Sequence, residues 1–275
     1  MDAITFILYA AAAVLYAMHF VRRQPPIGRA ATLTLAAAVL THTFVLGMHT
    51  MQVGHAPLVG QGQAVSVFVW LAALSYLYVE LTTDERTMGV FIITLLALLF
   101  IVPLTSPDPT ERPAVLDSPL FIAHVVTVLF SYASFALASV VSVTYLLLFR
   151  ELKRKQPGLF FARLPPLRAL DLMNIRAVTI GMVFFTVSLL VGVIWIGEAR
   201  VYAPHDARVQ QMSLGDPKIL IAVISWLIYA FQIFARQVIG WGGRRASWLS
   251  VLGFASILVN LLPVGYFVTT SHTFS

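Results

Sequence analysis

The stretch that decides the fold runs from Ser213 to Ser275 and reads SLGDPKILIAVISWLIYAFQIFARQVIGWGGRRASWLSVLGFASILVNLLPVGYFVTTSHTFS. It contains two apolar segments joined by a short, basic, glycine-rich loop. Each segment is long enough to cross the hydrocarbon core of a bilayer, which takes about 20 mostly apolar residues in a helix. The stretch therefore predicts a helical membrane hairpin, with one histidine, His272, beyond its second helix.

The remainder of the chain has the same apolar character. Its 275 residues are 59% hydrophobic and 11% charged, with a mean hydropathy of +0.86, whereas soluble domains carry about 25% charged residues. We therefore predict an all-α fold, a polytopic membrane helix bundle that forms a single domain over residues 1–275. About eight transmembrane segments are expected, at 3–21, 31–51, 64–82, 88–104, 119–149, 175–197, 218–236 and 247–269, with Pro and Gly residues between them.

Lysine and arginine residues are divided unequally between the two sets of connections. Fourteen lie in one set and four in the other, namely Arg112, Arg200, Arg208 and Lys218. Because cytoplasmic loops are enriched in Lys and Arg, the first set is predicted to be cytoplasmic and both termini to be outside. The net charge of +6 is thus a topology signal and an attraction to anionic lipid headgroups. It does not predict nucleic-acid binding, since no basic patch is interleaved with base-stacking aromatic residues.

Two histidines are predicted to lie at similar depth near the outer face. His124 is about one turn into the fifth segment, and His272 follows the eighth. Neutral imidazole is a strong iron ligand, and two axial ligands on opposite faces of one porphyrin need this placement. The alternative is that both are interfacial side chains that reach toward water. The absence of cysteine excludes disulfides and c-type haem attachment to this chain.

Two further residues each allow a functional and a structural interpretation, and a tripeptide has a local structural one. His42 lies inside the second segment and is either a functional intramembrane group or a neutral side chain hydrogen-bonded to a neighbouring helix. Trp195 either packs against one face of a flat apolar ligand or anchors its helix at the interface. In the tripeptide 216–218, Pro217 suits a first helical turn and Asp216 suits the cap before it.

Four stretches resemble the cytochrome c assembly membrane-protein superfamily (CcsA, CcmC and CcmF), and in particular its short HemX/YpjD-like branch. They are HVVTVLFSYASFALASVVSVTYLL at 124–147, GDPKILIAVISWLIYA at 215–230, GWGGRRASWLSVLGF at 240–254 and VGYFVTTSH at 264–272. The Gly-Trp-x-Gly-Arg-Arg loop is the most specific of these motifs. The N-terminal half is similar only in hydropathy and in His42.

The resemblance implies roles for some residues and marks departures at others. In the haem-handling members, the histidines that match His124 and His272 ligate haem against a Trp-rich segment ending in Trp-Asp-Pro-Lys-Glu. Here Asp216 and Lys218 are kept, while Gly215 and Ile219 replace the flanking Trp and Glu, and loop 198–214 has no Trp. Family members carry a membrane histidine near the end of the seventh helix, and Phe234 or a neighbouring residue stands at that position here. These departures argue against covalent haem transfer.

We therefore predict an integral membrane haem-binding protein that assists c-type cytochrome biogenesis at the outer face of a bacterial-type cytoplasmic (inner) membrane. It is expected to be an accessory protein rather than a complete haem lyase. Its cofactor would be a non-covalent b-type haem, with His124 and His272 as metal ligands. The residues predicted to bind the cofactor are His124, His272, Asp216, Lys218, Trp195 and His42. Expected partners are haem, membrane lipid, other cytochrome c maturation proteins and apocytochrome.

Two other classes of function compete with this prediction. One is a HemX-like membrane regulator of tetrapyrrole synthesis, or a scaffold, that acts through the basic cytoplasmic segment 150–176 without haem. In that interpretation Leu159, Phe160 and Phe161 dock on a partner or on the lipid surface. The other is a small-molecule transporter, whose usual signs are inverted repeats and broken helices at the membrane midplane. Neither sign is clear in the sequence.

Overall fold

The computed structural model describes residues 2–54, 56, 58, 61–106, 118–155, 162–202, 204 and 216–260, and regular structure within these ranges is entirely helical. The all-α prediction is confirmed. The helices are α1 (Asp2–Arg22), α2 (Pro25–Val53), α3 (Gln61–Thr83), α4 (Gly89–Leu99), α5 (Ile101–Thr105), α6 (Pro119–Lys153), α7 (Leu167–Tyr202), α8 (Pro217–Val238) and α9 (Arg244–Val259). Among the described residues, six helices are long and apolar enough to cross a membrane, namely α1, α2, α3, α6, α7 and α8.

Two of the predicted segments differ from this pattern. The fourth is divided into α4 and α5, which together run from Gly89 to Thr105. Pro103 accounts for the break at Phe100, because proline has no N–H for the Leu99 carbonyl and its ring crowds that oxygen. The last segment begins at Arg244 rather than at 247, and its predicted continuation to 269 extends past the described residues. The total of eight spans therefore stays a prediction.

Two helix starts were predicted too late. α2 begins at Pro25 instead of 31, since both prolines occupy its first turn, where their missing N–H groups cost nothing. α7 begins at Leu167 instead of 175. The polar residues of its first turns resemble a loop in sequence, but Asp171 and Asn174 both bind partners on other helices. Tertiary contacts thus extend the helix beyond its apolar segment.

The bundle has an N-terminal and a C-terminal group of helices. α1 packs on α2 and α4, α6 packs along α7 and α9, and α3 contacts α6 and joins the two groups. In the C-terminal group the rings of Phe135 and Tyr229 stack at 3.7 Å with an angle of 7°. Gly181 and Gly253 make room for them, because a Cβ at either position would lie within 2.7 Å of these rings.

A latch at one end of the bundle fastens the glycine-rich loop. Asp171 on α7 accepts two hydrogen bonds from the Arg236 guanidinium on α8, at 2.9 and 2.7 Å. It also accepts one from the backbone N–H of Gly243, at 2.9 Å. Gly243 has φ +56°, and a Cβ there would lie 2.4 Å from the Tyr145 hydroxyl of α6. The most specific motif of the sequence therefore has a structural explanation.

This latch identifies one end of the bundle, which we call the basic end. It comprises the C-terminal turns of α1, α3, α6 and α8 and the N-terminal turns of α2, α7 and α9. Arg163 joins α1 to the α6–α7 connection through the Phe20 and Val21 carbonyls. The loops predicted to be cytoplasmic thus lie together. The opposite end comprises the starts of α3, α6 and α8 and the ends of α2 and α7.

A buried carboxylate fastens the N-terminal helices near the basic end. Glu80 on α3 is fully buried. It accepts hydrogen bonds from the Tyr16 hydroxyl on α1 at 2.6 Å and from the Thr32 hydroxyl on α2 at 2.5 Å. The Nε of Arg86 lies 3.9 Å away. Burial of a charge is costly unless partners of this kind surround it.

Replacement of Glu80 by alanine is expected to destabilise the protein by about 3 kcal/mol, because Tyr16 and Thr32 lose their buried acceptor and Arg86 its nearest buried carboxylate. The measurement is thermal unfolding of the detergent-purified protein. Asp84→Ala is the matched control, since Asp84 pairs with the same Arg86 at 2.9 Å but is 84% exposed. Equal destabilisation by both substitutions would contradict a structural role for the buried cluster.

Gly243→Ala is expected to lower stability by about 1–3 kcal/mol, because the new Cβ meets Tyr145 and the left-handed backbone disfavours alanine. Gly242→Ala is the control: its Cβ would meet no atom closer than 3.8 Å. Melting temperature and the rate of proteolysis in loop 239–243 are the readouts. Partial recovery in the Gly243→Ala/Tyr145→Ala double variant would separate the clash from the backbone strain.

Candidate functional site

The first turns of α6 place two aromatic rings against α7. The helix starts at Pro119, and its cap residue Ser118 accepts a hydrogen bond from the Leu120 backbone N–H at 3.2 Å. Ser118 also donates to the Glu198 carboxylate on α7 at 3.2 Å. Phe121 and His124 follow three residues apart, so they share one face of the helix. This end of α6 belongs to the end of the bundle opposite the basic one.

The imidazole of His124 is oriented by the backbone of α7. Its Nδ1 lies 2.9 Å from the carbonyl oxygen of Ser188. Because a carbonyl oxygen only accepts hydrogen bonds, Nδ1 carries a proton, and in the neutral imidazole Nε2 then keeps its lone pair. Histidines that ligate metals are oriented in this way, with the other ring nitrogen donating to a carbonyl or carboxylate. No residue in the described chain forms a hydrogen bond to Nε2 of His124.

Three residues of α7 shape the space around this imidazole. Ser188, Gly192 and Trp195 are four and three residues apart and therefore lie on one helix face. A Cβ at Gly192 would lie 2.7 Å from Nδ1 of His124, so the ring fits only because this residue is glycine. The Trp195 ring lies parallel to the imidazole, with 6.5 Å between centroids and an angle of 13°.

Trp195 contributes an unpaired donor to the site. Its side chain is only 5% exposed and packs on Phe121, with 5.1 Å between ring centroids. The indole Nε1 is buried and has no hydrogen-bond partner within the described part of the chain. Buried N–H groups without a partner are rare in proteins. The site therefore offers one oriented imidazole lone pair and one unsatisfied donor, which fits an axial ligand and a polar contact for haem.

Asp216 and Lys218 lie at the start of α8. Asp216 caps the helix and accepts a hydrogen bond from the Lys218 backbone N–H at 2.8 Å, with Pro217 in the first turn. The structural interpretation of this tripeptide is thus confirmed. The Lys218 carbonyl accepts from Asn260 at the end of α9, at 3.1 Å. This contact fixes the hairpin at the end of the bundle where His124 lies, and a role in cofactor binding stays a prediction.

His42 is held in the N-terminal group of helices. It is fully buried, with Nδ1 3.2 Å from the Tyr9 hydroxyl and Nε2 3.0 Å from the Ser66 hydroxyl. Its ring also packs edge-on against Phe100 at 5.0 Å. These partners match the alternative of a neutral histidine that links neighbouring helices. No described contact brings His42 to His124.

Several predicted residues fall elsewhere. His272, Arg208, Gly215 and the apolar residues at 159–161 lie outside the described residues, so the pairing of His124 with His272 stays a prediction. Phe234, near the position of the family's membrane histidine, is 51% exposed on the outer surface of α8. Within the described ranges, no three His, Asp or Glu side chains gather into a metal-binding group.

Two polar clusters were missed by the sequence analysis. Glu80 is one, and an ionisable residue inside a membrane segment is the signal that identifies it. The other joins α6, α7, α8 and α9. Asn174 Nδ2 lies 2.7 Å from the Ser142 hydroxyl and 2.8 Å from the Ser250 hydroxyl, and Gln232 donates to its Oδ1 at 3.1 Å. These groups pair with one another, so they fasten the bundle rather than form a site.

Fold and site together define a polytopic helical membrane protein that presents one oriented imidazole at the end of the bundle opposite its basic loops. The sequence profile of the family described as Cytochrome C assembly protein matches residues 62–272. The chain belongs to this family, and the predicted resemblance is confirmed. The match covers α3 to α9 and includes both His124 and His272.

Individual relatives agree with this assignment. Protein HemX of Bacillus subtilis (strain 168) is 24% identical over 276 residues, which cover 98% of this chain and 96% of the relative. Cytochrome c biogenesis protein CcsA of Guillardia theta is 25% identical over 259 residues, covering 86% and 82%. The CcsA protein of Prochlorococcus marinus (strain MIT 9303) is 27% identical over 270 residues, covering 85% and 82%.

Proposed function

We propose that this protein binds a non-covalent b-type haem in the membrane and assists the biogenesis of c-type cytochromes. The observation that carries this proposal is the hydrogen bond from Nδ1 of His124 to the Ser188 carbonyl, which leaves the Nε2 lone pair available for iron. Membership of the cytochrome c assembly family supports the cellular role. So do the relatives named as cytochrome c biogenesis proteins.

In the proposed site, His124 and His272 would hold the haem iron through their imidazole nitrogens. The family match extends to residue 272 and so includes both. Bound haem would supply a redox-active iron porphyrin with two propionates. The Trp195 indole N–H and the side chain of Lys218 are proposed partners for those carboxylates, with Asp216 holding the first turn of α8 in place. Trp195 and Phe121 also exclude water from one side of His124.

The proposed place of action follows from the two ends of the bundle. The basic loops lie at one end, and His124 lies at the other. By the positive-inside rule, this arrangement supports our proposal that His124 lies at the outer face of a cytoplasmic (inner) membrane. An apocytochrome and other cytochrome c maturation membrane proteins are the proposed partners there. Loop 198–214 has no Trp, unlike the Trp-rich segment of the haem-handling family members. This difference favours an accessory role over that of a complete haem lyase.

Substitution of His124 or His272 by alanine is expected to weaken a bis-imidazole haem spectrum. The measurement is the absorption of the detergent-purified full chain, oxidised and then reduced, together with its haem content. Gly192→Ala tests the same site without removing a ligand. It should lower haem affinity by about tenfold or more, since it displaces the imidazole from the Ser188 carbonyl.

Gly197→Ala is the matched control on the same helix, because a Cβ at Gly197 would meet no atom within 4 Å. Its haem content should equal that of the unaltered protein. An unchanged haem content in the His124→Ala/His272→Ala double variant would overturn the proposal. Equal loss of haem in Gly192→Ala and Gly197→Ala would overturn the role of the Ser188 contact.

A second candidate function is regulation or scaffolding without haem, and the end-to-end match to protein HemX favours it. In this case the basic segment 150–176 would bind a soluble partner, and the histidines would have only a packing role. The HemX-like branch that the sequence resembles is associated with control of tetrapyrrole synthesis. Co-purification of a partner that depends on this segment, from a protein that holds no haem, would favour this candidate over the first.

A further inference from the structure

Two adjoining cavities open at the basic end, between the last turns of α6 and the first turns of α9. The larger has a volume of about 540 Å³, and its lining includes Arg150, Lys153, Arg154, Arg244, Leu147 and Trp248. The smaller, of about 480 Å³, shares Arg244 and Trp248 with the first. Neither cavity is near His124, which lies at the opposite end of α6.

The larger cavity concentrates positive charge that is not neutralised within the part of the chain that the structure describes. Its four basic side chains, Arg150, Lys153, Arg154 and Arg244, form no ion pair within the described part of the chain. Arg236, also at the basic end, is by contrast paired with Asp171 through two hydrogen bonds. Like charges repel one another when they gather in one place. An anionic ligand would relieve that repulsion.

The same cavity has an apolar side that faces away from the bundle. Leu147 is 39% exposed and Trp248 is 50% exposed, so both present apolar surface where a bilayer would surround the helices. Tryptophan is enriched at the level of lipid headgroups. The guanidinium of Arg244 lies 5.7 Å from the centre of the Phe149 ring, which holds it at the rim of the cavity.

We propose that this cavity binds an anionic phospholipid from the leaflet at the basic end. The lipid phosphate would lie among Arg150, Lys153, Arg154 and Arg244, and an acyl chain would lie along Leu147 and Trp248. Basic pockets between membrane helices are a known form of site for lipid headgroups. A free phosphate would use the cations alone, and the exposed apolar side favours the lipid. The site is independent of haem binding.

The test uses the full-length protein, purified in detergent and stripped of lipid, with bound lipid counted by native mass spectrometry. Phosphatidylglycerol is titrated against the unaltered protein and against the variant Arg150→Gln/Arg154→Gln/Arg244→Gln. Each basic residue near an anionic lipid contributes about fivefold in affinity, so the variant is expected to bind about a hundredfold more weakly. The single variant Arg154→Gln, expected to bind about fivefold more weakly, serves if the triple variant fails to fold.

The matched control removes the same amount of charge from the same end. Arg22, Arg29 and Arg168 are exposed and line neither cavity, so their triple replacement by glutamine should leave phosphatidylglycerol affinity unchanged. Equal weakening in both triple variants would overturn the proposal in favour of a general charge effect. Binding of phosphatidylcholine as tight as that of phosphatidylglycerol would also overturn it. So would displacement of the lipid by inorganic phosphate at comparable concentration, which would show an anion site without lipid.

Discussion

A side chain buried inside a membrane bundle has no water to bond with, so each polar atom there needs a partner within the protein. The rest of this structure depends on that constraint. Glu80 satisfies it by binding Tyr16 and Thr32, and thereby fastens α1, α2 and α3. Asn174 and Gln232 satisfy it in the network that joins α6, α7, α8 and α9. Each half of the bundle thus has a polar fastening among its apolar contacts.

The same constraint draws attention to the groups that lack a partner. The Trp195 indole N–H is buried and unpaired within the described chain, and it lies beside a histidine whose Nε2 lone pair faces no donor. His42 provides the contrast, because both of its ring nitrogens have partners on neighbouring helices. A buried donor without a partner beside an open imidazole lone pair supports a ligand at this place in the bundle. Sequence alone treats the two histidines alike.

Much of the fold can be predicted from the sequence because its causes are local. Apolar length identifies the membrane helices, and Pro25 and Pro217 each begin one. The distribution of basic residues identifies which loops share an end of the bundle. The resemblance to the cytochrome c assembly family rests on four short motifs, and the family profile confirms it over residues 62–272.

What the sequence does not reveal depends on partners that are distant in the chain. The start of α7 was predicted too late because Asp171 is stabilised by Arg236 and Gly243. These residues lie at the end of α8 and in the loop before α9, 65 and 72 residues later in the chain. The sequence identifies the glycine-rich loop as a specific motif but does not explain it. The explanation is that Gly243 has a positive φ and lies against the Tyr145 hydroxyl, and this contact is visible only in the structure. The contact between His124 and Ser188 likewise depends on how closely α6 and α7 approach each other.

The acceptor that orients His124 is a main-chain oxygen, and this has a consequence for how the site can vary. A substitution at position 188 changes the side chain and leaves the carbonyl where the helix puts it. The direction of the imidazole is therefore set by how α6 and α7 are positioned relative to each other. A slide of α6 along α7 would separate Nδ1 from its acceptor and release the ring from its fixed tautomer. In such a design, affinity for a metal is coupled to helix register.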